Sequence, residues 1–122
     1  MKYLSLGQVI AIHAFQQEKY NGMPGIRSIE MLESAVYRPQ ASFDGRDLYN
    51  TIFEKAASLM YSLIKNHPFV DGNKRTGVLS AIAFLESNGF SFSMGEKELV
   101  EFTVGVASGG IKLQEIAAKL TS

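Results

Sequence analysis

The chain has 122 residues, of which 46% are hydrophobic, and this suits one compact domain spanning residues 1–122 whose core needs no covalent staples. Cysteine is absent, and 12 Lys plus Arg balance 12 Asp plus Glu; this excludes disulfides, thiolate sites and a global positive field for direct nucleic-acid binding. No apolar run approaches the roughly 18 residues of a membrane span, and Gln8 and His13 interrupt the stretch where a signal peptide would lie, so a soluble cytoplasmic protein is expected.

Helical periodicity runs through nearly the whole chain. Leu6, Val9, Ile10 and His13 or Ala14 share one face behind Ser5, a short side chain suited to cap the first helix. The turn residues Asn21 to Gly25 end that helix near Tyr20. A second helix is expected after Ser28, burying Ile29, Leu32 and Val36, and stopping at Arg38-Pro39 because proline disfavours helical geometry before it. Residues 40–46 read as an exposed connection. Asp47 then suits the cap of the longest helix, Leu48 to about Lys65, with Ile52, Ala56, Leu59, Met60 and Leu63 inward and Phe53, Ala57 and Ile64 widening the face. A helix apolar over so much of its girth belongs at the centre of a bundle.

After Pro68 and Gly72, another apolar helix is expected from Asn73 to Asn88, presenting Val78, Leu79, Ile82, Ala83 and Leu85 and stopping at Gly89. Phe90 to Ser93 alternate as a short extended segment would, and Phe90 and Phe92 read as core. Helices over Glu96–Ala107 and around Leu113 to Leu120 complete the chain, separated by Gly109-Gly110. The expected fold class is all-α, a compact bundle of about six helices with one small extended element.

Chemistry concentrates in His67-Pro68-Phe69-Val70-Asp71-Gly72-Asn73-Lys74-Arg75-Thr76, between the two most apolar helices. Loops held by rigid neighbours commonly carry function. An unperturbed histidine, with a pKa of about 6.5, suits proton transfer near neutrality, which makes His67 a candidate base. Asp71 offers the hard oxygen that Mg²⁺ prefers when substrate phosphates complete its shell. Gly72 permits a tight entry into the helix, and Asn73 to Arg75 form its first turn, where unpaired N–H groups and the dipole favour an anion. Lys74 and Arg75 oppose that dipole unless a polyphosphate is bound there. Taken singly, the same residues also suit a turn, a cap and a solvated face. His13, in mid-helix, reads as a hydrogen-bonded structural histidine, and Asn66 either orders the loop or caps the helix before it. One aspartate and two scattered histidines give no clear ligand set for a metal hydrolase.

His67-Pro68-Phe69-Val70-Asp71-Gly72-Asn73-Lys74-Arg75 resembles the signature of the Fic/Doc family, and the likeness extends through Gly25-Ile26-Arg27 and Arg38-Pro39-Gln40 to Phe90. It points to the death-on-curing (Doc) branch, the compact toxins of toxin–antitoxin pairs. The resemblance implies the Fic/Doc fold, His67 as general base on a target hydroxyl, and Phe69 as loop anchor. It further implies Asp71 as the ligand of Mg²⁺, and Gly72, Asn73, Lys74 and Arg75 as the binders of ATP phosphates. Residues 39–46 resemble the family's flap, which aligns a target segment by β-type pairing.

Family members that transfer AMP carry glycine where Lys74 stands and a second arginine where this chain has Val78. The resemblance therefore implies transfer of the terminal phosphate, as in the Doc branch, with a threonine of elongation factor Tu as the expected target. AMP transfer and a catalytically silent binding module are the alternatives, the latter disfavoured by His67, Asp71, Asn73 and Arg75 standing together. No serine or threonine has glutamate four residues later, so the family's inhibitory motif is missing from this sequence. Control by a separate, Phd-like antitoxin is expected instead, a partner that folds into a groove on the bundle.

Overall fold

A computed structural model describes residues 1–91 and 94–121. Six helices follow one another: α1 (Leu6–Tyr20), α2 (Ile29–Tyr37), α3 (Ile52–Asn66), α4 (Asn73–Ser87), α5 (Glu96–Ala107) and α6 (Leu113–Thr121). A 3-10 turn (Arg38–Gln40) and a two-stranded antiparallel hairpin, β1 (Ser42–Phe43) and β2 (Arg46–Asp47), join α2 to α3. This is the expected all-α bundle, and its small extended element is the hairpin in the stretch that resembles the family's flap, where the residues alone read as an exposed connection.

Helix starts follow local chemistry. Ser5 and Gln8 cap α1 reciprocally: Ser5 Oγ accepts from the Gln8 amide at 3.1 Å and Gln8 Oε1 from the Ser5 amide at 2.8 Å. Ser28 caps α2 through the Met31 amide at 3.2 Å. The cap of α3 is Thr51, which accepts from the Glu54 amide at 3.1 Å, not Asp47. Asp44 and Gly45 both take positive φ and turn the chain into the hairpin, so residues 42–47 pair as strands and α3 begins later than expected. Asp47 instead meets the buried ammonium of Lys55 at 3.2 Å, fastening the hairpin base to α3. Burial pushes the Lys55 pKa down, but hydrogen bonds and charge from Tyr3 and Asp47 outweigh it and leave the group above its usual value.

Helix α3 is central, packing against α2, α4, α5 and α6 with Ala56, Leu59, Met60 and Leu63 fully inside. Gly77 lets α4 approach it closely, since a Cβ there would stand 2.9 Å from Ile64 Cγ1 and 3.1 Å from the Met60 carbonyl. Three expected core residues lie outside. Ile29 heads α2 and is exposed, and the buried stripe Leu32, Ala35 and Val36 closes only one turn further in. Leu79 is exposed because the inward face of α4 runs through Thr76, Val78, Ser80, Ala81, Phe84 and Leu85. Phe90 is exposed, with its ring edge-on to Phe53 at 5.3 Å. Phe92 and Ser93, the second half of the expected extended segment, lie outside the described residues. Among the described residues no helix is long and apolar enough to cross a membrane.

Candidate active site

The loop from His67 to Gly72 connects α3 to α4, and two distant segments hold it. His67 ends α3 in the left-handed region at φ 52°. The last carbonyls of α3 are taken by Arg27, whose Nε donates to His67 O at 2.6 Å and whose terminal nitrogen donates to Asn66 O at 2.8 Å. Capping thus falls to Arg27, and the exposed His67 side chain lines the cleft described below. The Asn66 side chain donates to Met31 O at 3.1 Å, tying the loop's root to α2. Pro68 O accepts from the amides of Arg27 (2.7 Å) and Ser28 (3.0 Å), and the Val70 amide donates to Gly25 O at 3.0 Å.

Phe69 is fully buried, its ring stacked on His13 at 3.7 Å between centroids. Asn73 brackets the Phe69 peptide: its Oδ1 accepts from Phe69 N and its Nδ2 donates to Phe69 O, both at 2.9 Å. His13 donates through Nε2 to Asp71 O at 2.8 Å, so the histidine read as structural secures the loop from behind.

The Asp71 carboxylate is held by α1 and the turn after it. Its Oδ2 accepts from Gln17 Nε2 at 3.0 Å and from the Met23 amide at 3.2 Å. These bonds, Gln17's first, outweigh the small desolvation and lower the pKa below its ordinary 3.8, so the group is ionised at neutral pH. Gly72 then enters α4 at φ +80°, and a Cβ there would collide with the side-chain amides of Gln16 and Gln17. The first helical bond of α4 is Thr76 N to Gly72 O at 3.0 Å, so the amides of Asn73, Lys74 and Arg75 precede the helical ladder. Lys74 and Arg75 are exposed on this turn, and the Arg75 guanidinium lies 3.9 Å over the Tyr20 ring.

An open cleft of about 430 Å³ gathers these groups. His67, Asp71, Gly72, Asn73, Lys74 and Arg75 all line it, while Phe69 lies buried behind it. The sequence reading missed the wall given by Gln17, Tyr20 and Gly22, and the loop-fastening role of Arg27. No sequence signal marks these residues: the Gln16 and Gln17 side chains are buried although the residue type is usually exposed. Among the described residues no group of three or more His, Cys, Asp or Glu forms a protein-only metal cage. One ionised carboxylate beside an anion-binding helix start does fit Mg²⁺, which takes few protein ligands when phosphates supply the rest.

The cleft unites an imidazole, a carboxylate and two cations at a helix start, a combination suited to an anion. The model of the Fic/DOC family matches residues 3–85, which include all the site residues, and the chain belongs to that family. It is 32% identical over 120 residues to "Protein kinase doc" of Escherichia phage P1, covering 98% of this chain and 94% of the relative. It is also 39% identical over 107 residues to "Toxin Doc" of Mycolicibacterium smegmatis, covering 83% of this chain and 79% of the relative. Both relatives support its place in the Doc branch.

Proposed function

We propose that this protein is a Doc-type toxin that transfers the terminal phosphate of ATP to a hydroxyl of a target protein, a threonine of elongation factor Tu. The observation that carries the reading is the cleft itself, where His67, Asp71, Lys74 and Arg75 surround the amides that open α4. The printed names of the two relatives, a protein kinase and a toxin, agree with it. Against AMP transfer stands the core position of Val78, which is 5% exposed and offers no second cation for the phosphates.

In this reading the α4 amides, Lys74 and Arg75 hold the phosphates and spread their charge. Asp71 would hold Mg²⁺, which when bound neutralises phosphate oxygens. As the target oxygen bonds to the γ-phosphorus, its proton passes to the His67 imidazole. The bond from that phosphorus to the β–γ bridging oxygen breaks, and ADP leaves. His67 then returns its proton to solvent. The hairpin 42–47 has only two strands, so its outer edges can pair with an extended target segment. The exposed apolar residues Phe15, Leu79, Val100 and Val104, on α1, α4 and α5, give a Phd-like antitoxin a surface on which to fold.

The test is to incubate the protein with ATP, Mg²⁺ and elongation factor Tu and to weigh the target by mass spectrometry. A gain of one phosphoryl group, lost with His67→Ala, is expected. A gain of AMP would overturn the phosphate reading, and undiminished growth arrest by His67→Ala would overturn the enzymatic one.

A further inference from the structure

The carboxylate that opens to the cleft is oriented by a residue far from the loop in sequence. Gln17 is 5% exposed, and its Nε2 donates both to Asp71 Oδ2 and to Met23 O. An amide nitrogen has two hydrogens, so one is available for each acceptor. The Met23 amide reaches the same Asp71 oxygen at 3.2 Å, so both bonds fall on Oδ2 and fix the rotation of the carboxylate. Gln16, 1% exposed, donates from Nε2 to Gln17 Oε1. That bond reinforces the same orientation of the Gln17 amide, because a flipped amide would turn N–H against N–H.

The pair is expensive to keep. Burying an amide costs free energy unless its groups are bonded, and Gln16 Oε1 finds no partner among the described residues. Gly72 is shaped to the same pair, since any side chain there would overlap both amides. Apolar residues at these two helix positions would pack without such constraints. The arrangement is directional, and what it directs is Asp71.

We infer that Gln17 is a positioning residue that sets the Asp71 carboxylate for a divalent cation held with nucleotide phosphates, and that Gln16 fixes the Gln17 amide for this task. The inference rests on the proposed reading of the cleft as a Mg²⁺–nucleotide site.

The experiment is calorimetric binding of a non-hydrolysable ATP analogue to the whole protein, with and without Mg²⁺. The proteins compared are wild type, Gln17→Met, Asp71→Asn and the double variant, with folding followed by circular dichroism. Gln17→Met should weaken the Mg²⁺-dependent component about 10- to 100-fold, as loss of a residue that orients a metal ligand does. It should add no loss in the Asp71→Asn background. Wild-type Mg²⁺ dependence in Gln17→Met, or an equal loss with Asp71→Asn already present, would overturn the inference alone. No effect of Mg²⁺ on the wild type would overturn the reading of the cleft and the inference with it. If Gln17→Met does not fold, Gln16→Met takes its place: a loss confined to the background that retains Asp71 supports the inference, and an equal loss in both overturns it.

Discussion

Asn73→Ala tests how much one side chain contributes to holding the loop from His67 to Gly72. Asn73 is 4% exposed and forms two 2.9 Å bonds to the Phe69 peptide, one in each direction. Alanine removes both partners and leaves a buried N–H and a buried C=O unpaired, each costing about 1–3 kcal/mol. Partial entry of water from the adjacent cleft reduces the sum, and a loss of about 2–4 kcal/mol is expected. For a chain of this size that lowers the melting temperature by roughly 6–20 °C. Urea unfolding followed by circular dichroism measures the loss directly, through a lower midpoint at unchanged slope. A loss under about 0.5 kcal/mol, the range of ordinary surface substitutions, would refute the view that this bracket secures the loop.

Lys74→Ala, on the same turn, should do the opposite. Removing a cation from a helix N-terminus stabilises by about 0.3–1 kcal/mol, while calorimetry should show weaker ATP binding. His67→Gly relieves a left-handed residue at φ 52° and should raise stability by about 1 kcal/mol in thermal melts, while phosphotransfer is lost. The pKa of Asp71 is depressed in the folded protein, first by Gln17, so the unfolded chain takes up that proton more readily as pH falls. Its stabilisation is therefore whole above the ordinary carboxylate range and is lost as pH falls through the lower folded value. Melts of wild type and Asp71→Asn should differ at neutral pH and converge in acid, and a gap that stays constant would contradict the assignment.

The helices were legible because their apolar spacing and their serine caps are local. Ser5 and Ser28 stand directly before the runs they start. The start of α3 was not, because Asp47 and Thr51 are both plausible caps and only the Asp44-Gly45 turn decides between them. Leu79 and Ile29 fall inward by periodicity alone, which gives the angle of a residue around its helix but not what lies opposite. The loop from His67 to Arg75 could be read because its residues are consecutive. Its second wall could not, since Gln17, Tyr20 and Arg27 reach it through tertiary packing. A glutamine on a helix, seen in sequence, looks like surface.

The backbone bonds from Gly25, Arg27 and Ser28 to Pro68 and Val70 have a thermodynamic consequence. They stitch the loop into place independently of any ligand, so a nucleotide bound as proposed would have little chain left to order. The free energy of its contacts then goes into affinity and alignment rather than into loop closure. Binding should accordingly show only a small change in heat capacity, and the amide hydrogens of Arg27, Ser28 and Val70 should exchange with solvent together and slowly even in the empty protein.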